Sequence, residues 1–179
     1  MAIMPILEFP DARLRTKAVP VTVFDAGLAT LVSDMVQTMY DAKGIGLAAT
    51  QVDRHIQLIV VDISEDRSDL RVLINPLLTN PVGSQVYKEG CLSVPTVYAD
   101  VKRADQITVS ALDQFGKAQQ FTADGLLAVC VQHEMDHLLG KVFVDYLSPL
   151  KRMMAMAKLD KIRRDRIADA ISDAKKAVV

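Results

Sequence analysis

No stretch of this chain stays apolar for the roughly 20 residues that a membrane-spanning helix needs, so no contact with a membrane interior is expected. Its opening residues, Met-Ala-Ile-Met-Pro-Ile-Leu-Glu8, have no basic segment, no long apolar run and no small-residue cleavage site. They do not read as a signal peptide. Cysteine is scarce, with only Cys91 and Cys130. Without export, no oxidising compartment favours a bond between them. The expected location is the cytoplasm, with both thiols free for other chemistry. Charge of one sign is also lacking: 21 Lys/Arg stand against 22 Asp/Glu, a net charge of −1. That excludes a global field drawing the chain to nucleic acid, and no sequence-specific nucleic-acid binding is expected. The balance is local instead. From Pro149 to Val179 there are nine Lys/Arg and four Asp, leaving twelve basic and eighteen acidic residues before them.

What is present suits a globular enzyme. The chain has 179 residues, half of them hydrophobic, and a length of this order buries about two-thirds of the unfolded surface in one domain. No internal repeat or low-complexity linker divides it. Residues 1–148 are expected to form the catalytic part and 149–179 a C-terminal helix of the same domain. Three segments read as helices. Leu28, Leu31, Val32, Met35, Val36, Met39 and Tyr40 share one face, with Asp25 placed to cap the start and Gly44 to end it. A second helix runs from about Asp124 to Leu139, with Gly140 as a left-handed stop. Its first half, Leu126–Val131, is apolar all round, which predicts a central, buried helix. The third begins at Ser148-Pro149, a cap followed by a favoured first-turn proline, and continues past Ile167.

Between the first two helices the pattern turns to short segments rich in Val, Ile and Thr: 56–63, 72–75, 85–87, 97–103, 107–112 and 119–122. Asp113-Gln-Phe-Gly116 marks a hairpin turn. Helix, strands, then helices predict an α+β fold, with largely antiparallel sheet packed around the central helix.

The strongest chemical signal is His133-Glu134-Met135-Asp136-His137. Residues four apart lie about one turn apart on the same helix face, so both imidazoles can reach one metal ion. Glu134 can then meet a metal-activated water and take its proton. The bland reading, two histidines on a helix by chance, must account for two of the three histidines in the chain falling in this apolar helix, where burial without a partner is costly. A catalytic site takes a third protein ligand and keeps a position open; four ligands would mark a structural site, as in a metal-storage protein. Metzincin proteases place a histidine ten residues after the first, where this chain has Phe143, although Gly140 mimics their glycine. Thermolysin-like proteases use a downstream glutamate, and none follows Glu134 here. Asp145 or Asp160 could substitute, which would make a zinc endopeptidase of His133, His137 and Asp160 the rival enzyme.

Two cysteines compete for the same role. Cys130 shares the histidine face but sits five residues before their midpoint, about 7.5 Å along the axis. That is too far for a metal–sulfur bond of about 2.3 Å, so Cys130 reads as a buried thiol. Cys91, beside Gly90 in Glu89-Gly-Cys-Leu-Ser93, becomes the favoured third ligand. A last constellation, Gly44-Ile-Gly-Leu-Ala-Ala-Thr-Gln51, formally matches a dinucleotide-binding pattern. Such a site needs a strand before and a helix after, and here the order is reversed. The segment is either a helix-terminating loop or a backbone rail for an extended substrate, with Gln51 as an amide donor.

Gly44–Gln51, Glu89–Ser93 and Gln132-His-Glu-Met-Asp-His-Leu-Leu-Gly140 are similar to the three motifs of peptide deformylases, in the same order. The resemblance extends over nearly the whole chain, including Asp11-Ala-Arg-Leu-Arg15 and the C-terminal helix. It implies that Cys91, His133 and His137 hold one divalent metal ion. Fe(II) is expected, with zinc or nickel able to replace it. Glu134 would act as general base and then acid. Gln51 and the backbone N–H of Leu92 would stabilise the oxyanion, and the Gly46 backbone would bind the peptide. Ile45, Leu126, Val129, Cys130 and His133 would line a methionine pocket. The implied substrate is an N-formyl-methionyl nascent peptide, and the implied partner is the ribosome near its tunnel exit. The latter would be reached through a C-terminal helix bearing Lys158, Lys161, Arg163, Arg164 and Arg166. On that reading residues beyond Ile162 are dispensable for activity on peptides, and the enzyme is a monomer. Two positions depart from the family pattern: Tyr98 stands where related enzymes often carry an arginine, and Tyr87 where they carry a smaller aliphatic residue. Asp136 belongs to the family motif and reads equally as a carboxylate that orients a metal ligand or as an ordinary helix-surface one, so it is left unassigned.

Overall fold

The computed structural model describes residues 2–176, with side chains as far as residue 172. Helix α1 spans Ala26–Asp41, and its cap is the one expected: Asp25 accepts from the Leu28 N–H at 2.9 Å. Its apolar stripe buries Leu28, Val32, Met35 and Met39. The left-handed stop falls on Lys43 (φ 55°), not on Gly44. Gly44 is needed for another reason, since a Cβ there would lie 2.7 Å from Leu92 Cδ1.

Among the described residues seven strands follow. β1 (Gly46–Ala48), β2 (Leu58–Val61), β3 (Arg71–Val82), β6 (Gln106–Leu112) and β7 (Ala118–Asp124) form one sheet in the order β1-β2-β3-β6-β7. All its pairings are antiparallel. β4 (Gln85–Cys91) and β5 (Val94–Arg103) form a separate antiparallel pair. The expected hairpin turn joins β6 to β7, with the Asp113 carboxylate accepting from the N–H groups of Phe115 and Lys117 at 2.8 and 2.9 Å.

β4 runs on past the expected 85–87 and β5 starts before the expected 97, and two other strands differ further. β3 runs far beyond residue 75, because Asn75 (φ 51°) and Asn80 (φ 50°) sit where its register with β6 shifts. Each is followed by a proline, a residue confined within sheets to edges, strand starts and bulges. Asn75 also holds the Val21 backbone from both sides at 2.8 Å. The other difference is β1, which lies inside the Gly44–Gln51 segment and makes an edge strand of it. Of the two readings of that segment, this geometry fits the rail.

Helix α2 (Gly125–Leu138) is central, with Ala128 through Val131 and Leu138 all buried. Gly140 (φ 73°) ends it as expected. Nothing larger fits there, since a Cβ would run into the Arg15 carbonyl. Three buried clusters surround this helix: one between it and the larger sheet, one between α1 and the sheet, and one joining the small sheet to Phe143 and the start of α3 (Pro149–Lys176). In the last cluster Ala155 and Leu159 are the α3 residues that reach the core. Polar contacts tie α3 as well: Lys158 donates to the Thr96 carbonyl at 2.5 Å, and further along Arg163 donates to the Phe9 carbonyl and Arg166 pairs with Glu8 at 2.7 Å. Three of the five basic residues expected on a free surface therefore face the body of the protein. Arg163 and Arg166 tie the helix just beyond Ile162 to the body of the protein.

Candidate active site

The site forms where α2 passes the free edge of β1 and the end of β4. His133 and His137 come from successive turns of α2, and Cys91 from the last residue of β4. The Cys91 Sγ and one ring nitrogen from each histidine all lie within 4.8 Å of one another. Cys91 Sγ is 3.2 Å from His137 Nε2. Thiolate plus two imidazoles is a donor set for zinc, iron or nickel rather than for a hard, oxygen-seeking ion. Cys130 is not in the cluster. It is buried, its thiol facing the Ile45 carbonyl at 3.5 Å, and burial pushes that thiol well up. The argument from helical rise holds.

Glu134 is 4% exposed, and its Oε2 has no hydrogen-bond partner. An orphaned carboxylate oxygen costs free energy unless something polar meets it there. Burial pushes the Glu134 carboxyl up to about 7, the range in which one group can both take and return a proton near neutral pH. Its other oxygen lies against β1, and a Cβ at Gly46 would stand 2.5 Å from Glu134 Oε1 and 2.8 Å from Cys130 Sγ. Only glycine fits between.

Gln51 follows β1 in a 3-10 turn and is 1% exposed. Its Oε1 accepts from the Ala48 N–H at 2.8 Å, so its NH₂ must point the other way. There it lies 3.1 Å from Ser93 Oγ and 3.6 Å from Cys91 Sγ. A cavity of about 530 Å³ opens beside these groups, lined by Ile45, Gly46, Gln51, Cys91, Leu92, Leu126, Val129, Cys130, His133 and Glu134. Every residue expected at the site is therefore here. His137 alone sits behind the cavity wall rather than on it.

The polypeptide deformylase family profile matches residues 3–153. The chain belongs to this family. It is a metal-dependent hydrolase that removes the formyl group from nascent polypeptides. A peptide deformylase 2 of Xanthomonas campestris is 60% identical over 167 residues, covering 92% of this chain and 98% of the relative. The crystal structure of a peptide deformylase from Legionella pneumophila superposes with a TM-score of 0.90 at 53% identity, covering 93% and 98% of the two chains. That of a Synechococcus elongatus peptide deformylase in complex with actinonin gives 0.85 at 42% identity, covering 89% of each.

The enzyme also has a supporting network that sequence reasoning missed. His133 Nδ1 lies 2.8 Å from Glu89 Oε2, which leaves Nε2 to face the cluster. Glu89 is in turn held by Arg103 at 2.7 and 3.0 Å, and Arg103 reaches Asp136 at 2.5 Å. Tyr146 donates to the other Asp136 oxygen at 3.0 Å. Asp136 is thus buried and bonded, not a surface carboxylate. Burial works against the charge on Glu89, yet His133 and Arg103 hold its carboxyl below the usual range. Burial works against the charge on His133 as well, but Cys91 and Glu89 raise it well above its ordinary value. Burial drives His137 the opposite way, well down. A ligand imidazole must be neutral, and the Glu89 contact at Nδ1 leaves Nε2 as the donor atom for a metal. Outer carboxylates that fix a ligand's tautomer in this way are worth about 10–100-fold in metal affinity.

The endopeptidase alternative fails on the same geometry. Asp160 lies on α3 in a separate groove with Leu147, Arg152 and Met156. Asp145 is committed to Arg15 at 2.5 Å and to Arg152 at 3.2 Å. Among the described residues the cluster with metal-binding spacing is Cys91, His133 and His137.

Proposed function

We propose that Cys91, His133 and His137 hold one divalent ion, with Fe(II) the native metal and zinc or nickel able to replace it. The observation that carries the reading is the unpartnered, buried Oε2 of Glu134 beside that ligand set. When bound, the ion supplies a Lewis acid that polarises the formyl carbonyl and acidifies water. Glu134 takes a proton from the attacking water, whose oxygen adds to the formyl carbon. Gln51 Nε2 and the Leu92 N–H donate to the carbonyl oxygen as it becomes negative; one such donor is worth roughly 10²–10³ in rate. Glu134 then returns the proton to the departing nitrogen as the C–N bond breaks. Formate and a free amino terminus result. Gly46 offers its backbone to the peptide, while Ile45, Leu126, Val129 and Cys130 supply the apolar wall for methionine.

The space around Gly46 supports a formyl rather than a larger acyl group, since Glu134 and Cys130 already press on that strand. N-formyl-methionyl peptides are expected to react roughly 10²-fold faster than N-acetyl ones, the scale of an extra methyl forced into a packed site. Rates of formate and acetate release measured side by side check this, and comparable values would overturn the substrate reading.

We further propose that the enzyme acts as a cytoplasmic monomer and docks on the ribosome near the tunnel exit through α3. Residues 149–179 belong to the same domain as the catalytic part, 1–148; the anchors of Arg163 and Arg166 support this, while residues 177–179 lie outside the described ones. Lys161 and Arg164 are exposed on α3, whose first turns also expose Leu150, Met153 and Met154. Truncation after Ile162 would also remove the anchors of Arg163 and Arg166, so charge reversal at Lys161 and Arg164 is the cleaner test. It is expected to weaken salt-sensitive co-sedimentation with ribosomes; unchanged co-sedimentation would exclude this face.

A further inference from the structure

Among the described residues, the cleft lies between two strand edges without a further neighbour: β1 ends the larger sheet, and β4 pairs with β5 alone. Gly46 of β1, with Ile45 just before it, and Glu89, Gly90 and Cys91 of β4 line the same cavity. An extended peptide entering this slot meets backbone donors and acceptors on each flank, and its side chains must alternate between the two faces.

Those faces differ. On the inner face of β4 stand Tyr87, Glu89 and Cys91, with α2 beyond them. On the outer face stand Val86, Lys88 and Gly90. The register of β4 with β5 (Lys88 opposite Asp100, Glu89 opposite Ala99) shifts before Cys91 opposite Val94, so Gly90 lies at an irregular step of the pair. The Tyr98 ring lies across that glycine, where a Cβ would stand 2.6 Å from Tyr98 Cε1. The ring reaches the cavity rim, yet Tyr98 remains 65% exposed. A tyrosine covering a strand glycine can do so for the sheet alone. Here it also presents a bare aromatic surface on the outer side of the slot.

We propose that Tyr98 is a specificity-determining residue that reads the second residue of the formylated chain and favours an aromatic side chain there. This rests on the deformylase reading above. With methionine turned inward toward Leu126 and Val129, strand alternation turns the next side chain outward. It then lies over Gly90, against Tyr98. An aromatic contact of this kind is worth roughly three- to ten-fold in kcat/KM. It acts through KM, because Tyr98 stands away from the reacting carbon.

The test compares formyl-Met-Phe-Ala, formyl-Met-Gly-Ala and formyl-Met-Gly-Phe in the metal-loaded enzyme and in Tyr98→Ala and Tyr98→Phe. The wild type is expected to favour formyl-Met-Phe-Ala over formyl-Met-Gly-Ala by that factor. The preference is expected to vanish in Tyr98→Ala and to survive in Tyr98→Phe. A ring that only supports the sheet would instead lower both rates together and leave their ratio intact, which overturns the proposal. So does a Tyr98-dependent preference for phenylalanine at the third position. Should Tyr98→Ala fail to fold, loss of the ratio in Tyr98→Leu, which keeps bulk over Gly90, decides the same point. Formate release from formyl-Met-Gly-Ala by the wild type separates the two levels of argument. If it is absent, both readings fail; if it is present with a Tyr98-insensitive ratio, only this one does.

Discussion

Glu134→Ala is expected to retain its metal and to lose formate release by about 10³-fold, within the 10²–10⁴ that a positioned proton carrier contributes. The three ligand residues are untouched, and His133 keeps its Glu89 partner, so the ion has no reason to leave. What disappears is a buried carboxylate with an unpartnered oxygen, on the cavity that Cys91 and His133 also line. The nearest other carboxylates are spoken for: Glu89 by His133 and Arg103, Asp136 by Arg103 and Tyr146. No neighbouring group can take over the proton, so the loss is not softened by substitution. Metal content and single-turnover formate release on the same preparation make the check. A variant that keeps a tenth of wild-type activity would falsify the role assigned to Glu134.

The second large effect separates the two thiols. Cys91→Ser is expected to lose metal by more than the roughly 10–100-fold typical of disturbing an outer partner, because a hydroxyl replaces a thiolate ligand outright. Cys130→Ser keeps the ligand set. Its cost falls on the fold and the pocket wall, on the order of 1–3 kcal/mol for a hydroxyl placed among apolar neighbours, partly offset if it bonds the Ile45 carbonyl. Metal stoichiometry and thermal stability should therefore move in opposite variants. If Cys130→Ser loses the metal while Cys91→Ser keeps it, the ligand assignment is wrong. With Fe(II) bound, oxygen can attack the ion and the Cys91 sulfur together; activity is expected to decay in air, and more slowly with nickel.

Much of this could be read before any coordinates, for definite reasons. The histidine spacing and the distance argument that set Cys130 aside depend only on helical rise, and α2 is a regular helix. The Asp25 cap and the Gly140 stop are local chemistry, written in adjacent residues. β1 was hidden because a three-residue strand inside a glycine-rich segment has no period to detect. β3 was cut short because Asn75-Pro76 and Asn80-Pro81 read as breaks, whereas the strand absorbs them at positions of irregular register. The network from His133 to Tyr146 left no local trace. Glu89 stood in a motif already singled out, but Arg103 lies fourteen residues from Glu89 and thirty-three from Asp136. Only folding brings such residues together, and nothing in a window of sequence marks them as partners.

The anchoring of α3 bears on the order in which this protein is made. Its first residues are held by segments translated much later: the Leu7 N–H by the Gln51 carbonyl, the Phe9 N–H by the Ser93 carbonyl, and the Phe9 carbonyl by Arg163, 154 residues downstream. A chain emerging from the ribosome has its histidine helix complete once His137 is out. It must still wait for another turn of synthesis before Arg163 can close over the beginning. The segment around Phe9 is closed over only after the active-site helix has been made.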